Sequence, residues 1–222
     1  MASGTGNADF YNRSYEQANY FHYNRWLYQP YVGSLVSYCG LKKGSSVLDV
    51  GCGQGFFAYL FQRCGMRVHG VDMSETGIRV AQQSYGASGI TFTVANIETA
   101  TFPERFDCVF VRSFSLYNND QFPKEFAVTD ILLRHLNPGG TLIFAYNSNF
   151  SSKVSKTWRY HSLADVREHF SHYEHARVFF LNRFTSFLFR THALTPVGSS
   201  CNALLSRKLG LGGDLICILR KN

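Results

Sequence analysis

The chain has 222 residues, of which 45% are hydrophobic and 17% are charged, so a single globular domain can bury a substantial core. No apolar stretch reaches the roughly 18 residues that a membrane-spanning helix needs, and no signal segment opens the chain, so we expect a cytoplasmic protein. The six cysteines show neither a CxxC pair nor a zinc-ligand spacing. We therefore predict reduced thiols and no metal site.

The net charge of +7 is unevenly distributed along the chain. Residues 1–150 hold eleven Lys+Arg and eleven Asp+Glu, whereas residues 151–222 hold eleven Lys+Arg and four Asp+Glu. From Lys153 to Arg190 the cations are spread singly and form no dense run. The pattern favours a solvated face that borders an anionic ligand or an acidic membrane surface over a nucleic acid partner.

Helical and strand-like patterns follow one another along the chain, which is typical of a mostly parallel sheet with helices on both faces. Nine aromatic residues lie between Phe10 and Tyr31, in a segment that we expect to be helical. The predicted strands are 46–50, 67–71, 91–94, 106–111, 141–146, 177–182 and 214–220. Predicted helices lie between the first two strands, from Ser74 onwards, and at 126–136 and 163–173. Residues 184–212 are too long for a hairpin loop, so we predict one or two helices that either cap the sheet or contact a membrane surface.

A glycine-rich turn after the first strand is the most informative local pattern. The residues Asp49-Val50-Gly51-Cys52-Gly53-Gln54-Gly55 lead from an apolar strand into a predicted helix. Glycines allow a ligand to lie against the backbone here, and Asp72 at the end of the next strand can accept both hydroxyls of a ribose. Phe56 stands where a dinucleotide fingerprint needs a small residue, and no GK[ST] follows, so NAD, FAD and P-loop nucleotides are disfavoured. The pattern predicts a nucleoside site at the carboxyl edge of the sheet.

Together with Phe106-Asp107 and Leu136-Asn137-Pro138-Gly139-Gly140, these residues resemble class I S-adenosylmethionine-dependent methyltransferases over about residues 45–146. The resemblance implies an α/β three-layer sandwich with a mostly parallel seven-stranded sheet, whose last strand is antiparallel. It also implies a helical N-terminal lid and a helical insertion before the last strand. We expect one domain with an aromatic lid (1–44), a cofactor-binding core (45–146), and a substrate side with closing strands (147–222).

The resemblance further implies which residues hold S-adenosylmethionine and its product S-adenosylhomocysteine. The glycine turn would face the methionine part, Asp49 its amino group, and Asp72 the ribose. Tyr15, Tyr20 and Tyr23 are candidates to cover the sulfonium from the lid, unless these rings only pack a helix on the sheet. The full set of predicted cofactor-binding residues is Tyr20, Asp49, Gly51, Cys52, Gly53, Gly55, Asp72, Met73, Asn96, Ile97 and Arg112.

Methyl transfer requires in-line alignment of the acceptor and, for a protonated acceptor, a base. The catalytic candidates are His22 and His161 as bases and Arg112 as an anchor for an anionic group, although Arg112 could instead form a salt bridge at the pocket rim. The fourth strand lacks the Asn/Asp-Pro-Pro-Tyr pattern of enzymes that methylate bases and amides, and it offers no acidic metal ligand. We therefore expect a small-molecule or lipid-like acceptor and no metal. RNA methylation through the basic last third and a non-catalytic cofactor-binding subunit remain as alternatives.

Overall fold

The computed structural model describes residues 5–17, 19–117, 122–150 and 159–222, and a seven-stranded sheet lies at its centre. The strands are β1 (Ser46–Val50), β2 (Arg67–Asp72), β3 (Thr91–Val94), β4 (Phe106–Arg112), β5 (Leu136–Asn147), β6 (Arg177–Leu181) and β7 (Asp214–Arg220). Their order is β3-β2-β1-β4-β5-β7-β6, and among these strands only β7 runs in the opposite direction to the others. The predicted α/β sheet with an antiparallel last strand is therefore confirmed.

Helices cover both faces of the sheet. Within the described ranges they are α1 (Thr5–Tyr15), α2 (Arg25–Cys39), α3 (Phe56–Arg63), α4 (Glu75–Tyr85), α5 (Phe122–Arg134), α6 (Leu163–Phe170), α7 (Arg183–Phe189) and α8 (Pro196–Lys208). Successive side chains of β1 point to opposite faces, so Val47 belongs to a core with α2 and α3, whereas Leu48 belongs to a core with α5 and α6. The predicted three-layer arrangement follows from these two cores.

Helix caps set several of the element boundaries. Ser74 Oγ accepts a hydrogen bond from Gly77 N–H at 3.0 Å and begins α4, as the sequence predicts. Asn182, which we predict as the last residue of the sixth strand, instead accepts from Phe184 N–H at 2.7 Å and caps α7. Because Asn182 serves the helix, β6 ends one residue earlier than predicted.

The fifth strand begins earlier than its sequence pattern suggests. Asn137-Pro138-Gly139-Gly140 reads as a turn, but β5 already begins at Leu136, which pairs with Phe106 before a register shift. Gly139 N–H donates to the Lys221 carbonyl at 2.9 Å, and Lys221 N–H donates to the Gly140 carbonyl at 2.9 Å. The chain end after β7 therefore draws this glycine-rich segment into the sheet. Both bounds of α5 also lie a few residues closer to the N-terminus than predicted, and α6 begins at Leu163 as predicted but ends three residues earlier.

The predicted insertion before the last strand consists of α7 and α8, which pack against each other, with α8 also packing on β6. None of the helices in the described part of the chain has the length and apolar character that a membrane crossing requires. The predicted boundaries at residues 44 and 146 stay predictions. Residues 1–4 and 18 of the lid segment and residues 151–158 of the substrate-side segment lie outside the described residues.

Candidate active site

A cavity of about 400 Å³ opens where the carboxyl ends of β1, β2, β3 and β4 meet. The turn after β1 forms its floor, because the positive φ angles of Gly51 (+70°) and Gly53 (+52°) bend the backbone away from the strand. Nine of the eleven predicted cofactor-binding residues line the cavity, namely Asp49, Gly51, Cys52, Gly53, Asp72, Met73, Asn96, Ile97 and Arg112. The strand topology thus brings together residues that lie up to 63 positions apart, from Asp49 to Arg112.

Two predicted residues, Gly55 and Tyr20, do not line this cavity. A Cβ on Gly55, whose φ is +80°, would lie 2.8 Å from Ala81 Cβ and 2.9 Å from the Phe92 ring. The structure therefore differs from expectation here: this glycine lets α4 and β3 pack closely instead of facing the cavity. The Tyr20 ring packs edge-on against Tyr15, with 5.7 Å between centroids, so it supports the lid from behind.

Asp72 is buried and held rigidly at the end of β2. Its Oδ2 accepts from Gly53 N–H and its Oδ1 accepts from Ser74 N–H, both at 2.8 Å. Burial raises the pKa of Asp72 above its ordinary value, although these backbone donors oppose the change. Each carboxylate oxygen can accept further hydrogen bonds, so the side chain is oriented without being saturated.

Asp49 is 2% exposed, and its Oδ2 has no hydrogen-bond partner among the described residues. Burial raises the pKa of this carboxyl to about 7, and nearby Asp72 adds to the rise, whereas a hydrogen bond from the Ala58 backbone opposes it. An unpartnered polar atom of this kind is costly to bury unless something pairs with it. Because Asp49 lines the cavity, a donor or cationic group of a ligand can supply the missing partner.

Cys52 also lines the cavity from within the turn. Burial raises the pKa of the Cys52 thiol well above its ordinary value, and the carboxyls of Asp49 and Asp72 add to the rise. The thiol therefore stays protonated at neutral pH. Because only the thiolate is a strong nucleophile, Cys52 is poorly suited to nucleophilic attack. Cys52 thus contributes a small, uncharged side chain to the turn.

An aromatic lid covers the cavity from the N-terminal side. Tyr11 and Tyr15 of α1 line the cavity together with Phe21 and Tyr23 of the following segment. A Cβ on Gly53 would lie 2.8 Å from the Tyr15 hydroxyl, so only glycine permits this close approach. Tyr15 and Tyr23 are the two lid candidates that the structure places at the cavity, and the lid itself was predictable from its aromatic content.

Two polar side chains fasten the lid to the core, and no sequence motif singles them out. Gln54 Nε2 donates to the carbonyls of Tyr15 and Gln17 at 3.2 and 2.8 Å, and Gln54 Oε1 accepts from Tyr20 N–H at 3.0 Å. Asn12 Oδ1 accepts from Ser74 Oγ at 2.7 Å. The only sequence signal is the position of Gln54 between two glycines, because its partners are backbone groups more than thirty residues away.

The lid phenols are neutral at physiological pH. Burial raises the pKa of Tyr11 to about 12, with the Asp72 carboxyl adding to the rise. Burial also raises the pKa of Tyr23 to about 12, although the Arg112 guanidinium opposes the change. These hydroxyls can therefore donate hydrogen bonds into the cavity but are poorly suited to act as bases.

Arg112 forms the salt bridge that the sequence left as an alternative. Its Nε lies 3.0 Å from Asp214 Oδ2, and both side chains are largely buried. The Arg112 Nη1 donates to the Tyr23 hydroxyl at 2.7 Å, and the Tyr31 hydroxyl donates to Asp214 Oδ2 at 2.8 Å. The guanidinium also lies over the Phe57 ring, 4.9 Å from its centroid. Arg112 therefore joins the lid to β7 and is not a free charge.

A second cavity of about 340 Å³ adjoins the first, and Arg112 lines both. It lies between the C-terminal end of β5, the start of β7 and the beginning of α7. Its polar lining residues include Asn147 and Arg183, whose Nη1 donates to the Tyr28 hydroxyl at 2.9 Å. The basic last third of the chain therefore contributes a cation to this cavity.

The two histidines that we considered as bases lie outside both cavity linings. His161 is buried, with its Nε2 3.3 Å from the Tyr117 carbonyl and its ring 4.5 Å from that of Tyr146. Burial lowers the pKa of His161 to about 4, and Arg159 adds to the fall. His22 is exposed in the loop after α1, and its backbone N–H donates to the Asn19 carbonyl. Neither position supports a role in proton transfer.

Within the described residues, no cluster of His, Cys, Asp or Glu could hold a metal ion.

The fold and this site define the class of the protein. A sheet ordered 3-2-1-4-5-7-6, with its last strand antiparallel, places a glycine turn beside two buried carboxylates, and this is the class I S-adenosylmethionine-dependent methyltransferase fold. A family model described as "Methyltransferase domain" matches residues 41–183. The chain belongs to this methyltransferase family.

Curated relatives and solved structures agree with that assignment. The chain is 32% identical over 120 residues to the ubiquinone biosynthesis O-methyltransferase of Azoarcus sp. (strain BH72), covering 52% of this chain and 49% of the relative. It is 31% identical over 146 residues to phosphoethanolamine N-methyltransferase 1 of Zea mays, covering 60% of this chain and 28% of the relative. The chain thus spans half or less of these relatives' lengths.

Magnesium protoporphyrin IX methyltransferase from Synechocystis PCC 6803, solved with bound S-adenosylmethionine, has a similar fold. The TM-score is 0.64 at 18% identity, and the match covers 100% of both chains. At this level of identity the likeness concerns the fold alone. The fold predicted from the sequence resemblance is therefore shared with a solved methyltransferase structure.

Proposed function

We propose that the protein transfers a methyl group from S-adenosylmethionine to a small-molecule acceptor. The observation that carries the proposal is the unpartnered, buried carboxyl of Asp49 beside the glycine turn, one strand away from the oriented carboxyl of Asp72. These groups fit the cofactor, because it offers an amino group to Asp49 and a ribose diol to Asp72. Met73 and Ile97 supply apolar surface for its adenine ring. When bound, the cofactor supplies a methyl group that is activated by the positive charge on its sulfur.

The residues of the chain then provide alignment and a dry environment. Gly51 and Gly53 line the cavity and let Phe114 and Tyr15 approach the turn closely, and Asp49 and Asp72 hold the amino group and the ribose of the cofactor. Tyr11, Tyr15 and Tyr23 close the cavity from above, exclude water and present aromatic faces, which stabilise a neighbouring cation. Because methyl transfer is an in-line displacement, this alignment is the main contribution that we assign to the protein.

Proton removal is not assigned to a side chain. The described residues that line the larger cavity include no histidine, and the lid phenols keep their protons at neutral pH. We propose that the acceptor atom reacts with a lone pair that is already free, as an amine or an ionised oxygen offers, and that any proton passes to water. The neutral lid hydroxyls orient the acceptor by hydrogen bonding.

The names of the curated relatives support a small acceptor. One is an O-methyltransferase of ubiquinone biosynthesis and the other an N-methyltransferase of phosphoethanolamine, so related chains act on small molecules through either atom type. We propose a small or lipid-like acceptor that reaches the cofactor from the side of Arg112 and the second cavity, where Arg183 favours an anionic group. The cytoplasmic compartment stays a prediction.

Calorimetric titration with S-adenosylmethionine and S-adenosylhomocysteine tests the cofactor part of this proposal. We expect both to bind, and we expect Asp72→Asn to weaken binding by about tenfold or more, because the amide no longer accepts two hydroxyls equally well. Asp107→Asn is the matched control, since Asp107 also accepts a backbone N–H, from Ser46, but at the opposite end of the sheet. Absence of binding to the wild type, or equal losses in both variants, would contradict the assignment. Transfer of labelled methyl to an acceptor then separates an enzyme from a non-catalytic subunit.

A further inference from the structure

The helix α8 has an inverted amphipathic pattern. Val197 and Leu204 on its outer face are 75% and 70% exposed, whereas the face that packs on the protein buries Asn202 and Ser206. Asn202 Oδ1 and Ser206 Oγ have no hydrogen-bond partner among the described residues. A surface helix ordinarily turns its apolar stripe inwards and its polar side chains to water. In α8 two apolar side chains instead face outwards beside the exposed Arg207 and Lys208, while two polar side chains are buried, and this pattern favours an outer face that a partner covers.

The neighbouring helix α7 repeats this inversion. Phe187 and Leu188 are 53% and 67% exposed, whereas Thr185 and Ser186 are buried with their hydroxyls turned to the carbonyl of Asn182. Single exposed apolar residues are common on protein surfaces, but two packed helices that both expose their largest apolar side chains are not. The outer faces of these helices form a candidate docking surface.

Cations accompany these apolar side chains, and carboxylates are absent nearby in the chain. Residues 175–213 contain five Lys+Arg and no Asp or Glu. Arg190, Arg207 and Lys208 are exposed, and in the part of the chain that the structure describes none of them has a carboxylate within 4.0 Å. The surface is thus both apolar and uniformly positive, which restricts what can cover it.

We propose that the outer faces of α7 and α8 dock on an anionic lipid surface. This α7–α8 face consists of Phe187, Leu188, Arg190, Val197, Leu204, Arg207 and Lys208. Apolar side chains flanked by cations are the composition of helices that lie in a membrane interface, where the apolar groups enter the acyl boundary and the cations meet lipid phosphates. A second copy of the chain is a poor occupant, because a two-fold contact would bring the same positive charges together.

The α7–α8 face lies beside the second cavity, and this position bears on how the acceptor reaches the proposed active site. Arg183 and Phe184 begin α7 and also line the second cavity, so the face adjoins the side from which we propose that the acceptor enters. A protein docked in this way reaches an amphiphilic acceptor that resides in the lipid. This consequence rests on the proposed function, whereas docking itself does not require it.

Sedimentation with lipid vesicles tests the proposal without using activity. We expect the full chain to sediment with vesicles of phosphatidylcholine mixed with phosphatidylglycerol, to sediment much less with phosphatidylcholine alone, and to dissociate as salt is raised. The double variant Leu188→Ser/Leu204→Ser should lower the bound fraction by roughly tenfold, with an unchanged melting temperature and unchanged binding of S-adenosylhomocysteine. The charge variant Arg207→Glu/Lys208→Glu should weaken binding only to the anionic vesicles.

Val94→Ser is the matched control, because Val94 is an exposed apolar residue on β3, at the opposite edge of the sheet from β6. Binding equal to that of the wild type is expected for this variant. Three results would overturn the proposal: no sedimentation with anionic vesicles, an equal loss in the Val94 control, or a dimer in ultracentrifugation that Leu204→Ser dissociates while vesicles are not bound. The calorimetric titration of the cofactor does not involve vesicles. A failure of vesicle binding would therefore overturn the docking proposal and leave the proposed methyl transfer to be tested by that titration.

Discussion

Asp49 shows how one buried carboxyl can couple ligand binding to pH. Its pKa is raised by burial to about 7, so in the free protein a large fraction carries a proton at neutral pH. Between its ordinary pKa and about 7 the folded state binds more protons than the unfolded state, so Asp49 lowers stability as the pH rises through this window. A cationic group beside Asp49 favours the ionised form and reverses this cost.

We therefore predict that S-adenosylhomocysteine binds more tightly as the pH rises to about 7. Below that value the affinity should fall by up to about tenfold per pH unit, because Asp49 must lose a proton before it pairs with the amino group. Calorimetry in two buffers of different ionisation enthalpy measures the proton released on binding. In Asp49→Asn the release and the slope should both disappear, and a slope that persists in this variant would assign the titration to another group.

The position of Asp49 was predictable at the residue scale, but its hydrogen-bonding state was not. The glycine-rich pattern places Asp49 and Asp72 at adjacent strand ends, and the structure does so. The sequence does not reveal that Asp49 Oδ2 lacks a partner, since burial arises from residues far away in the chain. For Arg112 the sequence left a ligand anchor and a salt bridge open, and only the partner Asp214, 102 residues later, decides between them.

At the scale of elements, the lid depends on a few contacts between its backbone and the core of the protein. The helix α1 carries Tyr11 and Tyr15 to the cavity, and Gln54 holds the segment that follows with three hydrogen bonds to its backbone. Hydrogen bonds of this kind contribute about 0.5–1.5 kcal/mol each. Losing them should favour an open lid much more than it affects the core.

We predict that Gln54→Ala weakens binding of S-adenosylhomocysteine by roughly tenfold, because the cofactor must first restore the closed lid. The midpoint of thermal unfolding should change little, and trypsin should cleave faster after exposed Arg13 in α1. Gln83→Ala, which removes an exposed glutamine from α4, is the control and should match the wild type in all three measurements. Unchanged affinity and cleavage in Gln54→Ala would show that the lid closes without this residue.

Element boundaries were predictable where a buried run meets a glycine or a cap. The strands β1, β2 and β3 match within one residue, because their apolar runs are bounded by turn residues such as Gly51 and Ser74. The start of β5 was not predictable, because its pairing depends on Lys221 near the C-terminal end of the chain. Among the lid rings, the sequence pattern included Tyr20, which does not line the cavity, and omitted Tyr11, which does. The reason is the same, because Asn12 and Gln54 position these rings through contacts with distant elements.

At the scale of the whole molecule, the structure shows which elements carry the excess positive charge. The larger cavity is lined by residues from the part of the chain where positive and negative residues balance. The cations of the last third include those of α7 and α8 and the Arg183 side chain at the second cavity. The sequence supplied this asymmetry and the helical insertion. The sequence did not predict that α7 and α8 bury polar side chains and expose apolar ones, because periodicity alone does not indicate which face of a helix meets the sheet.

The most direct measurement of the central claim is a crystal structure of the full chain with S-adenosylhomocysteine. We predict that its ribose hydroxyls lie within hydrogen-bond distance of the Asp72 carboxylate, that its amino group lies beside Asp49, and that the lid rings Tyr11 and Tyr15 close against it. A product molecule bound away from the Gly51–Gly53 turn, or one that leaves Asp49 Oδ2 unpartnered, would contradict the account.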